Sequence, residues 1–409
     1  MYHLKIILRN LRRGGIYSAI NVGGLAIGMA AAILILAWVY HEWSYDRFHA
    51  KEKQLFIVYN RSAVDGNIRC SDSTPMILGP TLKDEHPEIA GMARMADETY
   101  FYTNEDRKFK IQTGITDPDF LTMFDFPLIQ GNRETALNDP YAVILTKQAA
   151  IRLFGDENAM GQTLMINNQY PMTVSGVMED LPGNTLFRFE ALTSMDFLKV
   201  MGRFNENWTD NVLATFVELH PATRLETVNE SIRAIAQRHT NDVTQPERFL
   251  YPLAKQHLYS KFENGVPVGG RIETLRLFGL IAGLILLIAC INFMNLSTAR
   301  SGKRAKEVGV RKVLGGKRRS LIGQFLGESM GVSLIAGVIA LIIVVLTLPV
   351  FSMLMGQQIK IGLTDTRFWM AGLGFILFTG LLAGCYPAFY LSSFLPVKVL
   401  KGLFRTEQS

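Results

Sequence analysis

The chain has 409 residues, 48% of them hydrophobic, with three cysteines and a formal net charge of +6. That charge is unevenly placed: residues 41–270 carry a net −9 and the other 179 residues carry +15, so two environments are expected and the average charge is a poor guide to partners. Cys70, Cys290 and Cys385 show no disulfide or metal-ligand spacing, and none of the seven histidines sits in an HExxH pattern, which excludes a disulfide scaffold and a zincin.

The first sixteen residues hold Lys5, Arg9, Arg12 and Arg13 and no acid. Residues 20–40 (INVGGLAIGMAAAILILAWVY) then reach the roughly 20 residues that cross a hydrocarbon layer about 30 Å thick. The apolar run is longer than a signal-peptide core of about 7–15 residues, and HEWSYDRF after it lacks a small-residue cleavage site, so an uncleaved span is expected.

Residues 41–270 mix strand and helix signals and are long enough for one or two cores. In chain order, LFIVY (55–59) reads as a strand, 73–85 as a helix and FKIQTGI (109–115) as a strand. A helix over 118–124 follows, with Asp117 as its N-cap and Pro118 at its first position. YAVIL (141–145) is a strand and Thr146 caps a helix over 147–154. QTLMI (162–166) and PMTVSGV (171–177) form a hairpin through NNQY; Glu179 and Asp180 beside LPGN read as a turn. NVLATFVEL (211–219) is a strand and 223–238 a helix. The domain is α+β, without a βαβ series or internal repeat.

Three more spans follow at 277–296, 330–355 and 368–391. Gly24/Gly28, Gly279/Gly283, Gly323/Gly327 and Gly380/Gly384 have the small-xxx-small spacing that lets helices approach closely. No Asp, Glu, Lys or Arg lies inside the four spans, which argues against an ion-coupled carrier. Asn292 and Asn295 are expected to bond between helices or cap a helix end. The N-terminus, residues 300–319 with nine basic groups and one acid, and a tail with Lys398, Lys401 and Arg405 all read as cytoplasmic. Both termini inside then place 41–270 outside.

Between spans two and three, a helix over 302–314 gathers Val310, Val313 and Leu314 on one arc and Arg304, Glu307 and Arg311 on the next, with Lys306 intruding on the apolar arc. Lys303–Glu307 and Glu307–Arg311 are i,i+4 pairs, the second worth about 0.2–0.5 kcal/mol. Gly315-Gly316 stops this helix and Ser320 can cap the next. Three uses compete: topology alone, a seat on anionic lipid, and docking into a cytoplasmic partner. The apolar cluster beside an ordered acid leans to docking. Gly327-Glu328-Ser329-Met330-Gly331 matches G-x-S-x-G, but it opens an apolar helix and no histidine follows residue 257. GGKRRS (315–320) misses a Walker A loop, because Arg311 stands at the first glycine position and Arg318 at the Ser/Thr position.

STARSGKRAKEVGVRKVLGGKRRSLIGQFLGES resembles the cytoplasmic signature of FtsX/MacB-type ABC transporter permeases, a family that includes lipoprotein-releasing permeases. CYPAFYLSSFLPVKVLKG, with Pro387 and Pro396, resembles the end of the same domain. LRRGGIYSAINVGGLAIGMA and EWSYDRFH resemble the start of Bacteroidota-type members. FDFPLIQGN, LTKQAAIRLFGDENAMGQTL and VSGVMEDLPGNTLFRF resemble the MacB-like periplasmic core.

The resemblance implies a bacterial inner-membrane protein of four transmembrane helices with an α+β extracytoplasmic domain inserted between helices 1 and 2. Its parts are a cytoplasmic N-terminus and first span (1–40), a periplasmic core (41–270), a second span (271–298), a coupling segment (299–328), spans three and four (329–392) and a cytoplasmic tail (393–409). It implies that residues 302–314 contact a separate ABC ATPase, with Glu307, Arg311 and Lys312 in the EVGVRK core. ATP belongs to that partner, and this chain binds no cofactor or metal and is no enzyme. A second permease unit and a periplasmic or outer-membrane partner are implied, and nucleic acid is not. It implies a porter-like part from flanks near 50–115 and 205–270, and an inserted part near 116–200. Similar chains often carry a second four-span half, so a homodimer, half of a heterodimer and a fragment all stay open. The competing reading is a membrane-anchored sensor, scaffold or regulator of cell-wall hydrolases.

Overall fold

The computed structural model describes residues 15–64, 66–155, 157–299, 310, 312–314, 317–359, 361–362 and 364–393. The chain divides into two units, Glu42–Thr274 and the flanking Met1–His41 with Leu275–Ser409. Helix α1 (Ile16–Trp43) runs from the flanking unit into the first residues of the central one.

The central unit begins with strands β1 (Leu55–Val64), β2 (Asn67–Ser71) and β3 (Ser73–Thr74), helix α2 (Leu78–Glu85), and the long strands β4 (Ile89–Asn104) and β5 (Arg107–Thr116). Next come α3 (Phe120–Met123), β6 (Leu128–Gly131), β7 (Ala142–Thr146), α4 (Lys147–Phe154), β8 (Thr163–Ile166), β9 (Tyr170–Met178), β10 (Ala191–Ser194) and α5 (Phe197–Val200). It closes with β11 (Leu213–Leu219), α6 (Leu225–Ile232), α7 (Ile235–Thr240), β12 (Glu247–Pro252), α8 (Leu253–Gln256) and a hairpin of β13 (Lys261–Glu263) and β14 (Val266–Gly269). Twelve strands form one mixed sheet whose main path is β12-β1-β11-β4-β5-β10-β7-β9-β6. The implied porter-like and inserted parts therefore share a sheet, joined where β10 runs parallel to β5 from Ala191↔Thr113 to Ser194↔Thr116.

Alternation along β1 decides which side chains face which core. Phe56 and Val58 meet Leu78 and Leu82 of α2 and Val228 and Ile232 of α6. Ile57 and Tyr59 face the other way, into a core with Phe120, Phe124, Phe126, Phe187 and Phe216. Phe120 and Phe124 lie 4.7 Å apart by ring centroids and Phe124 and Phe187 4.9 Å, each such pair worth about 0.5–1.5 kcal/mol beyond burial. A third core packs α4 and α5 on β5, β7, β8 and β9 through Leu153, Phe197, Ile111, Val143, Leu164 and Val174. The outer edge of β12 is covered: Arg248 N donates to Arg233 O at 3.0 Å and Leu250 N to Asn229 Oδ1 at 2.7 Å. These bonds occupy donors that would otherwise invite another strand.

Several local expectations hold. Thr146 Oγ1 accepts from Ala149 N at 3.4 Å and caps α4, which ends on Gly155 at φ 70°. Asn167 and Asn168 take φ of 51° and 56° in the β8–β9 turn. Others are corrected. The expected helix 73–85 starts only at Leu78, because Ser73 and Thr74 pair with β11 as a strand, the Thr74 hydroxyl donates to Leu213 O at 3.0 Å, and Pro75 follows. Asp117 caps no helix: its carboxylate goes to Arg94, and α3 is just Phe120–Met123. The helix 223–238 is two helices, because Arg233 O accepts from β12 instead of from its own helix.

Three further helices are long and apolar enough to cross a membrane, as α1 is: α9 (Arg271–Ala299), α10 (Arg318–Met355) and α11 (Thr366–Ser392). At 38 residues α10 is about 57 Å long, so roughly half of it exceeds a hydrocarbon layer of about 30 Å. Its N-cap is Lys317, which puts Ser320 inside the helix rather than at the cap.

Candidate coupling segment and helix contacts

Arg304, Glu307 and Arg311 lie outside the described residues, as do the N-terminal and C-terminal basic groups. Val310, Lys312, Val313 and Leu314 are described and form one turn, with Leu314 N donating to Val310 O at 3.0 Å. Val310, Val313 and Leu314 are 49%, 64% and 80% exposed. Three bulky aliphatics left uncovered on one turn make a surface that an apolar groove can accept. Lys312 behaves differently from its neighbours: its Nζ donates to Ser392 O at 2.7 Å, at the end of α11. Arg318 Nε donates to the hydroxyl of the same serine at 3.4 Å.

The small residues of α10 and α11 place these helices in close contact. A Cβ at Gly380 would lie 3.0 Å from Met330 Cα, and one at Gly384 2.7 Å from Ser329 Cβ. Ser333 Oγ donates across to Ile376 O at 2.7 Å, so this hydroxyl is satisfied inside the apolar seam. Ser329 is therefore a buried packing residue on a membrane helix, not a strained nucleophile elbow. Helix α1 meets α9 likewise: a Cβ at Gly28 would lie 2.4 Å from Ala289 Cβ, and one at Gly24 3.2 Å from Asn292 Nδ2. The other glycine pairs differ. Gly279, Gly283, Gly323 and Gly327 have nothing within 4 Å of a Cβ position. In α9 the buried face runs through Ala282, Leu286, Ala289 and Phe293, and Gly283 is turned about 100° from Ala282.

Within the central unit, its two ends are tied to each other by a group the sequence did not single out. Glu42, in the last turn of α1, is 1% exposed and accepts from His257 Nε2 at 2.6 Å and from Arg271 Nη1, at the start of α9, at 3.0 Å. Tyr45 stacks on His257 at 3.5 Å and its hydroxyl accepts from Arg188 at 2.8 Å. Burial pushes the Asp46 carboxyl up to about 6, against bonds from Thr185 and Leu186 N that favour the anion. Burial also pushes His49 down to about 4, and its Nδ1 accepts from Asp125 N at 3.0 Å. The usable signal was EWSYDRFH, which sets two acids directly after an apolar span; His257 and Arg271 lie in no readable pattern. Among the described residues no cluster of His, Cys, Asp or Glu could hold a metal ion.

Comparison with known proteins bears on these features. The MacB-like periplasmic core domain family matches residues 18–235, more than half of the chain, and the FtsX-like permease C-terminal family matches 279–396. The chain is 25% identical over 414 residues to the macrolide export ATP-binding/permease protein MacB of Marinobacter nauticus, covering 97% of this chain and 60% of that protein. It is 24% identical over 405 residues to the pyoverdine export ATP-binding/permease protein PvdT of Pseudomonas syringae pv. syringae, covering 94% and 56%. The chain thus spans little more than half the length of these curated relatives. The crystallised periplasmic region of MacB from Actinobacillus actinomycetemcomitans is 13% identical, with a TM-score of 0.37, and the match covers 49% of this chain and 89% of that one. With both families matched in order along one chain that carries four membrane-length helices around an α+β domain, the protein belongs to the FtsX/MacB-type ABC transporter permeases.

Proposed function

We propose that this permease receives ATP-driven motion from a separate ABC ATPase at segment 299–328 and delivers it to the domain at 41–270. The observation that carries the reading is the exposed turn of Val310, Val313 and Leu314, set just before α10. A helical turn with three uncovered aliphatics suits a groove on a partner better than bulk water. ATP belongs to the partner in this reading. The Lys/Arg bias puts both termini and this segment in the cytoplasm and the domain in the periplasm. A second permease unit, identical or different, completes the membrane part, and a periplasmic or outer-membrane protein takes over the cargo.

Spans without charged residues offer no ion path, and tight glycine seams pass force between helices. Both support movement of the periplasmic domain as the working step. Two relatives are named for macrolide and pyoverdine export, and the cargo class proposed here is a lipoprotein, peptide or antibiotic. A sensor without transport is less favoured, because the FtsX-like region is matched together with the core domain.

The test is purification of the full chain from native membranes with whatever ATPase accompanies it. Replacing Val310, Val313 and Leu314 together by Asp is expected to leave membrane insertion intact and to reduce ATPase recovery at least tenfold. Wild-type recovery by that variant would rule out the docking role.

A further inference from the structure

We propose that Lys312 is a positioning residue that locks the coupling segment onto the end of α11, so that the docking turn and the last two spans move together. This rests on the coupling reading above but assigns Lys312 to the chain's own machinery rather than to the partner's surface. The last four carbonyls of a helix have no intrahelical donor, and the C-terminal end carries partial negative charge. Ser392 is the final residue of α11 and is fully buried, so bulk water does not reach its side chain. The Lys312 ammonium supplies a charged donor to its carbonyl at 2.7 Å.

Three further contacts converge there. The Ser392 hydroxyl donates to Phe389 O at 3.0 Å and accepts from Arg318 Nε, at the first residue of α10, at 3.4 Å. Below it, Leu321 and Phe325 of α10 pack on Ala388 of α11 in a separate small apolar cluster. One serine at a helix end thus gathers the segment, the start of α10 and the end of α11. Val313 and Leu314, next to Lys312, stay exposed. The turn therefore divides its labour: aliphatics outward, cation inward. A load applied at Val313 has a short path into α11 that does not depend on the backbone between 314 and 318.

The test uses the full-length chain in nanodiscs, with the ATPase that accompanies it, and compares wild type, Lys312→Met and Lys312→Arg. Lys312→Met keeps most of the apolar stem and removes the donor. Hydrogen exchange at the Leu314 amide, which closes the turn on Val310, is expected to quicken about tenfold in Lys312→Met and to stay near wild type in Lys312→Arg. ATPase recovery is expected to be unchanged in both variants. The ATP-dependent change in exchange across residues 42–274 is expected to vanish in Lys312→Met and to persist in Lys312→Arg.

Unchanged exchange and retained coupling in Lys312→Met would overturn the proposal. So would loss of ATPase recovery in Lys312→Met alone, since Lys312 would then be a partner contact. Failure of the wild type to bring down any ATPase would instead count against the coupling reading, and exchange at Leu314 would still decide the tether. If Lys312→Met does not insert, Lys312→Leu gives the same exchange comparison, since it too removes the donor.

Discussion

Removing Arg94 should unfold the central domain well before the membrane helices are touched. Arg94 on β4 donates from Nε and Nη2 to the two oxygens of Asp117 at 2.9 and 2.6 Å, and from Nη1 to Met76 O at 2.7 Å. Asp117 also accepts the Arg94 backbone N–H at 2.8 Å. The two side chains are 7% and 12% exposed, so little water can replace these bonds. Arg94→Met deletes three donors and strands a buried carboxylate, a loss of about 3–5 kcal/mol. For a unit the size of Glu42–Thr274 each kcal/mol moves the midpoint by about 2–4 °C, so a fall of about 6–20 °C is expected. Thermal melts of the full chain in nanodiscs, read at the β-sheet infrared band, separate the domain from the helical spans. Arg94→Met with Asp117→Leu, which removes both charges, should melt higher than Arg94→Met alone. A shift under about 2 °C for Arg94→Met, or a double variant no better than the single, would refute the reasoning.

Two other outcomes can be checked with similar preparations. Asp46 and His49 should oppose each other in a pH titration of domain stability. The folded carboxyl near 6 binds protons that the unfolded one, near 3.8, releases, so its contribution falls by about 3 kcal/mol as pH rises from 4 to 6. His49, near 4 when folded and 6.5 when unfolded, contributes a rise of about 3 kcal/mol over pH 4 to 6.5. The wild type should be nearly flat there, His49→Gln should lose stability as pH rises, and Asp46→Asn should gain it; parallel profiles in all three would exclude the compensation. In the spans, Gly384→Leu should force α10 and α11 apart and lower detergent-resistant folding, by about 1–3 kcal/mol if the seam yields. Gly283→Leu, with open space around it in this chain, is the matched control, and an equal loss there would mean that chain contacts do not set the effect.

The membrane topology was legible because a span announces itself by length and uniform apolarity, signals that need no partner to interpret. The strand LFIVY and the Thr146 cap were legible for a related reason: alternation and capping are local. β4 was missed because GMARM in its first half is buried on both sides and shows no alternation; Met92 faces one core and Ala93 the next. Asp117 was misread because a helix cap and a buried ion pair use the same residue type, and only the fold brings Arg94 near. Glycine spacing was a half-truth of the same kind. Gly28 and Gly384 face a neighbour and Gly283 does not, yet all three sit in identical four-residue patterns. In the coupling segment, the sequence grouped Lys312 with the docking residues, since nothing local reveals a carbonyl 80 residues away.

The covered edge of β12 bears on the order in which the sheet is built. Asn229 and Leu250, which close that edge, are 21 residues apart, whereas Asn60 and Arg248, neighbours on β1 and β12, are separated by 188. Local contacts form before distant ones because short loops close at lower entropic cost. In chain order β1 comes early and β2 pairs with its second half at once, but its long-range neighbours β11 and β12 come late in the domain, with β12 the last. That late strand arrives with its own outer side already claimed by α6 and the residue after it. Only its inner side is open, so it can add to β1 and then accept nothing more, which makes β12 a terminating piece as well as the last one placed.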